Sequence, residues 1–168
     1  MEKGRIADPY RDLDVIDARA PRFNQATVGA LAVVAVATGW WWLLAALGAQ
    51  LVVGLTFGRR FCLPCLIYFE VVQPRFGEGR LEDSRPPRFA NKVGAVILLA
   101  AAAAYALDAT VVGVGLGSLV AALALLAAAT GVCPGCEAFK LGSVVLGRPF
   151  VSCAIPGGSA APSSQERE

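Results

Sequence analysis

Four of the five cysteines of this 168-residue chain fall into two C-x-x-C pairs, Cys62-Leu-Pro-Cys65 and Cys133-Pro-Gly-Cys136. That spacing brings two thiols within reach of one disulfide or one metal ion. A proline lies inside each pair. Proline cannot continue a helix but suits its first turn, so each pair is expected where one helix stops and a short one begins. A cysteine at a helix N-terminus meets the positive end of the dipole, which favours the thiolate.

Three readings stay open. In the redox reading, Cys62, Cys65, Cys133 and Cys136 cycle between dithiol and disulfide, or one thiolate carries a persulfide sulfur. Cys-Leu-Pro-Cys has proline third, as thioredoxin-type motifs do. In the metal reading, the same four thiolates form one tetrahedral site for zinc or an iron–sulfur cluster. In the third, the cysteines are small apolar residues at helix ends. The redox reading carries most weight and expects no cofactor. With no histidine in the chain, a His general base or metal ligand is excluded.

The elements that position these thiols are written twice. Asp17-Ala-Arg-Ala-Pro-Arg22-Phe23 opens a long apolar stretch that ends at the first pair. Asp83-Ser-Arg-Pro-Pro-Arg88-Phe89 opens another that ends at the second. Val28-Gly29-Ala30 against Val93-Gly94-Ala95 extends the match after a one-residue offset. Arg22 and Arg88, one per half, are candidates to gather over the cysteine pairs, holding thiolates or a small anion. The plainer role is helix entry, with Phe23 and Phe89 at the membrane edge and the arginines near the headgroups.

The first stretch, Ala26 to Phe57, is 32 residues with no charge. The second, Val93 to Val132, is 40 residues with Asp108 alone. A spanning helix needs roughly 20 residues, so each stretch divides into two, at Gly39–Trp42 and at Asp108–Thr110. Trp favours the interface, and an aspartate is tolerated at a turn. The expected spans are about 26–41, 43–58, 93–108 and 111–131. All fifteen Lys and Arg lie outside the two stretches. An even number of spans per half puts them on one side, with both cysteine pairs, and the positive-inside rule makes that side cytoplasmic.

The order of these motifs resembles the bacterial membrane family catalogued as domain of unknown function 4395. The carrying residues are Leu81-Glu-Asp83-Ser-Arg85-Pro-Pro-Arg88-Phe89 and Cys133-Pro-Gly-Cys136-Glu137, within about residues 14 to 147. The resemblance implies thiol or sulfur chemistry beside a thioredoxin-like or sulfurtransferase protein. It supplies no established activity.

The expected fold is all-α, an integral membrane four-helix bundle of two parallel-repeat hairpins, each followed by a short interfacial helix. Residues 1–16 form a polar N-terminal segment, 17–73 the first repeat, 74–82 a linker, 83–147 the second repeat and 148–168 a disordered tail. Cys153, in that tail, is a spare thiol. The expected setting is the inner membrane, multi-pass, both termini cytoplasmic, with the bilayer and a redox or sulfur-carrying protein as partners and no nucleic acid. The expected function is a thiol–disulfide oxidoreductase or sulfur relay. The alternatives are a four-cysteine metal module and a non-catalytic accessory subunit.

Overall fold

A computed structural model describes residues 7–145; Cys153 and the expected tail lie outside the described residues. The chain is mostly helical. Strand β1 (Val15–Asp17) leads into α1 (Arg19–Thr38) and α2 (Trp41–Thr56). A 3-10 turn at Arg59–Phe61 precedes α3 (Leu63–Ile67), a π-helical turn at Tyr68–Val72, and α4 (Gln73–Phe76). The second half repeats the plan with β2 (Leu81–Asp83), α5 (Arg85–Ala106), α6 (Thr110–Thr130) and α7 (Pro134–Val145).

Both interhelical turns fall where the sequence puts them, one closed by Gly39 at φ 72° and the other by Asp108 at φ 60°. The starts of α1 and α5 do not, each lying seven or eight residues earlier than the charge-free stretch suggests. The P-R-F segments are not polar lead-ins but the first turns of α1 and α5. Asp17 and Asp83 explain this: their Oδ1 atoms accept the backbone N–H of Arg19 (3.0 Å) and Arg85 (2.8 Å). The D-x-R spacing is therefore a helix-starting device, satisfying one of the free N–H groups of each N-terminus. The prolines then occupy first-turn positions, where no hydrogen bond is lost. Helix continues to Phe76, past the expected start of the linker at residue 74. The preceding π turn interrupts the ordinary ladder, so a proline lacking its N–H is accommodated.

The strands, which hydropathy does not reveal, display the duplication geometrically. They pair antiparallel with Ile16 opposite Glu82, Val15 opposite Asp83 and Asp17 opposite Leu81. Beyond the ribbon, Ala18 N–H donates to Arg80 O, and Ser84 N–H to Asp14 O, each at 2.9 Å. The 66-residue offset between Asp17 and Asp83 converts the flanking pairs and hydrogen bonds into one another and maps Ile16–Glu82 onto itself. The ribbon is thus a two-fold contact between equivalent segments.

The long helices obey the same relation. α1 packs mainly on α6, and its equivalent α5 on α2; α5 also contacts α6, and α1 contacts α2. Val28 and Ala32, Leu44 and Leu51, Ala95 and Leu98, and Val120 and Ala121 join one buried apolar cluster drawn from all four helices. Small residues allow close backbone approach: a Cβ on Gly29 of α1 would lie 2.9 Å from Leu125 of α6. Gly113 and Gly117 do not mark a single crossing. Gly113 faces Tyr105 of α5, while Gly117 faces Val36 of α1 and Leu44 of α2.

α5 and α6 are long and apolar enough to cross a membrane, and only 22% and 28% of their most apolar windows are buried within the protein. The remainder presents large apolar side chains outward, such as Val96 and Val111.

Candidate functional site

Both cysteine pairs sit at the end of the helices that carries the P-R-F segments, each at the start of a short helix. Cys62 has extended backbone and caps α3, with Pro64 in its first turn. Cys62 and Cys65 form a disulfide, with Cα atoms 5.2 Å apart. Cys62 is buried and rests on Gly54 of α2, where a Cβ would come within 3.0 Å of its own. Its sulfur lies 3.9 Å from Asn24 Oδ1. A disulfide sulfur has no proton to donate, so this becomes a hydrogen bond only on reduction.

A cavity of about 80 Å³ adjoins this pair, lined among others by Asn24, Arg59, Arg88 and Asn91. Arg59 also ties down the N-terminal segment, donating to the carbonyls of Pro9 (3.0 Å), Asp12 (3.2 Å) and Leu13 (2.9 Å). Burial, reinforced by the neighbouring charge of Arg88, lowers its pKa to about 10 despite Asp12 and Asp14.

The second pair is in the dithiol state. Cys133 immediately precedes α7, and Cys136 lies in the first turn. The Cys133 pKa is lowered to about 6, chiefly by a hydrogen bond from the Cys136 thiol. Partial burial opposes this, while the backbone N–H groups of Cys136 and Gly135 and the Gln25 side chain add to it. Gln25 Nε2 donates to Cys133 Sγ at 3.3 Å. The glycine of C-P-G-C has a steric role. α7 is pressed on α5 so closely that a Cβ on Gly135 would sit 2.8 Å from Ala90 Cβ. Phe89 and Phe139 clasp the same two helices, ring centroids 5.5 Å apart.

The two arginines expected over the pairs are crossed between the halves. Arg88 of the second half lines the cavity of Cys62 and Cys65. Arg22 of the first packs on Gly131, the left-handed residue closing α6 two positions before Cys133. A cation there complements the helix dipole. Gln25 is one of the groups that lower the Cys133 pKa, after the Cys136 thiol and the backbone N–H groups.

Sequence reasoning passed over three amides. Asn24 Nδ2 donates to Asn91 Oδ1 at 3.4 Å, and both residues line the Cys62 cavity and a second cavity beside Cys133. A signal was available, because Gln25 and Asn91 are 66 residues apart, the repeat offset itself, each at the margin of an apolar stretch. Among the described residues, no three or more His, Cys, Asp or Glu side chains gather as a metal site. The two cysteine pairs thus share a polar seam but do not merge into one four-sulfur cluster.

Gln25→Leu removes a donor without adding charge. The midpoint of the pH profile for Cys133 alkylation should rise by roughly half a pH unit, the scale of one half-exposed hydrogen bond to a thiolate. An unmoved midpoint would exclude the contact.

Two long apolar stretches, tied by a two-fold ribbon and each leading to a C-x-x-C pair at a helix start, define a mostly helical protein with two thiol pairs in unlike states, one a disulfide and one a dithiol. The chain belongs to the family described as Domain of unknown function (DUF4395), whose model matches residues 16–143. Searches of curated proteins and of solved structures find no match to it.

Proposed function

We propose that this protein is a membrane-embedded thiol–disulfide relay, with Cys133 as attacking thiolate and Cys136 as resolving thiol. The observation that carries this is the Cys133 environment: a half-buried sulfur at a helix start, accepting from its partner thiol, from backbone N–H groups and from Gln25. Low thiol pKa at a helix N-terminus is the condition for attack on a disulfide near neutral pH.

The exchange balances within two dithiol couples. Cys133 Sγ⁻ attacks one sulfur of a partner's disulfide, breaking that bond and expelling a partner thiolate. Cys136 then attacks Cys133 Sγ, closing the Cys133–Cys136 disulfide and releasing the partner's second sulfur. Two electrons and two protons pass to the partner, a thioredoxin-like protein by the chemistry it must offer.

The membrane setting is part of the proposal. α1 and α2 stand in the same two-fold relation as α5 and α6 and pack against them, so all four are read as spans. At about 1.5 Å per residue α2 covers roughly 24 Å, short of a roughly 30 Å hydrocarbon core, a mismatch that local thinning absorbs. The exposed Trp40, Trp41 and Trp42 mark one interface. We read the Lys and Arg residues as marking the other, and by the positive-inside rule this reading assigns the cysteine pairs and both termini to the cytoplasmic face of the cell membrane.

The test uses the full chain in liposomes, reduced, freed of reductant and mixed anaerobically with an oxidised thioredoxin-like protein. Quenching with a mass-tagged maleimide should show Cys133 and Cys136 losing both thiols together as the partner gains two. A dithiol that stays fully alkylatable at every time point rejects the relay.

A further inference from the structure

The cavity beside Cys133 is larger and more apolar than thiol exchange with a protein requires. It measures about 110 Å³ and lies among the four long helices. Its walls include Val28 of α1, Leu51 of α2, Ile97 of α5, and Val120 and Ala127 of α6. Protein interiors ordinarily leave few voids larger than a water molecule. An engineered apolar cavity of about 150 Å³ binds benzene; this one is somewhat smaller but open on one side, so it can seat a ring that reaches partly out of it.

Its composition is graded. One end is hydrocarbon; the other holds the amides of Asn24, Gln25 and Asn91 together with Cys133. An occupant therefore needs an apolar body and a polar atom able to accept from an amide, and the polar atom would lie beside a nucleophilic sulfur. The access route narrows the class. Val93 of α5 and Leu123 of α6 line the cavity, yet are 42% and 38% exposed. The cavity thus opens sideways through the apolar flanks of the two helices long enough to cross a membrane. An occupant arriving that way is lipid-soluble.

A lipid-soluble, ring-sized hydrogen-bond acceptor that reacts with a dithiol is a quinone. We propose that the cavity binds a membrane quinone that takes the electron pair of the Cys133–Cys136 dithiol, a step that rests on the relay reading above. Cys133 Sγ⁻ adds to a ring carbon, forming an S–C bond. The Cys136 sulfur attacks Cys133 Sγ, forming the S–S bond and breaking S–C, and the electron pair remains on the ring. One proton from the Cys136 thiol and one from water complete the quinol. The dithiol is oxidised by two electrons and the quinone reduced by two.

The probe is duroquinone, whose ring carbons are all methylated, so that uncatalysed thiol addition is slow. Reduced full-length protein in neutral phospholipid liposomes, freed of reductant and held anaerobic, is mixed with it. The expected result is one duroquinol per two thiols lost, both from Cys133 and Cys136. Ala124→Phe fills the cavity from a half-buried wall position and should slow duroquinol formation at least about tenfold, while exchange with the thioredoxin-like disulfide persists. Leu123→Trp at the exposed mouth, which spares the core, should slow it as well and serves if Ala124→Phe does not fold. Exchange with the protein disulfide but no duroquinol overturns the quinone site and leaves the relay standing. Failure of both exchanges overturns the relay and the quinone step with it. Duroquinol formed at wild-type rate in both variants places the reaction outside the cavity and also overturns the proposal.

Discussion

Cys136→Ala is expected to move the pH midpoint of Cys133 alkylation well above 6 and to end two-electron turnover. The Cys136 thiol is the largest cause of the lowered Cys133 pKa, while the backbone N–H groups and Gln25 remain in the variant. Magnitudes decide which readout is informative. A thiol of pKa about 6 is roughly nine-tenths ionised at pH 7, and at the upper limit of a full return to about 8.5 only roughly 3% would be. Nucleophilicity per thiolate rises with pKa, with a Brønsted slope of about 0.4–0.5, which recovers about tenfold. The alkylation rate at pH 7 therefore falls only about two- to threefold, whereas near pH 5.5 it falls about twentyfold. The profile, not the neutral rate, is the measurement, and a midpoint still near 6 would remove Cys136 as the cause.

The same shift has a stability consequence whose sign is fixed. The folded-state pKa of Cys133, about 6, lies below the value of about 8.5 expected for an unfolded chain. Between those values the unfolded chain binds more protons, so folding stability rises with pH. The contribution is fully present above about pH 8.5 and is lost as pH falls through about 6. Cys136→Ala should flatten that rise in thermal unfolding scans taken under reducing conditions.

Much of this architecture was legible because charge is excluded from two stretches and because the same motif opens both. Those facts place the long helices, their turns and the cysteine pairs at helix starts. They do not say which helix packs on which. A two-fold repeat is satisfied equally whether each hairpin closes on itself or helices cross between halves, and local patterning has no term for that choice. The structure crosses them, so Arg22 and Arg88 each lie near the other half's cysteines. The β1–β2 ribbon was hidden for another reason, since three residues per strand are too few for a period of two to emerge. Nor do the motifs distinguish the pairs. Cys62 is buried on Gly54 and bonded to Cys65, while Cys133 and Cys136 are half-buried and reduced, and no C-x-x-C spacing specifies such a difference in surroundings.

That asymmetry extends to the aspartates, and it makes the second large prediction. Asp17 and Asp83 start equivalent helices, yet Asp17 is 2% exposed and has two further donors. Its Oδ2 accepts from the Tyr68 hydroxyl and from Gly79 N–H, each at 2.9 Å. Tyr68 is buried just after α3, and its hydroxyl is held protonated above its usual range, by burial first and by the Asp17 hydrogen bond second. Asp17→Ala therefore strands a buried hydroxyl and a backbone N–H as well as freeing the Arg19 N–H. With unsatisfied buried groups costing about 1–3 kcal/mol each, the variant should lose roughly 2–4 kcal/mol. Asp83→Ala gives up only the helix-start contact to Arg85, an effect of about 0.5–1 kcal/mol. Because Tyr68 follows directly on the helix that begins at Cys62, the loss should be local. Reduction of the Cys62–Cys65 disulfide should accelerate in Asp17→Ala, while the Cys133 alkylation profile stays where it was. Equal destabilisation by the two alanine variants, or a displaced Cys133 profile, would mean that the two ends of the repeat share one support, and that the first pair is not independently held through Asp17 and Tyr68.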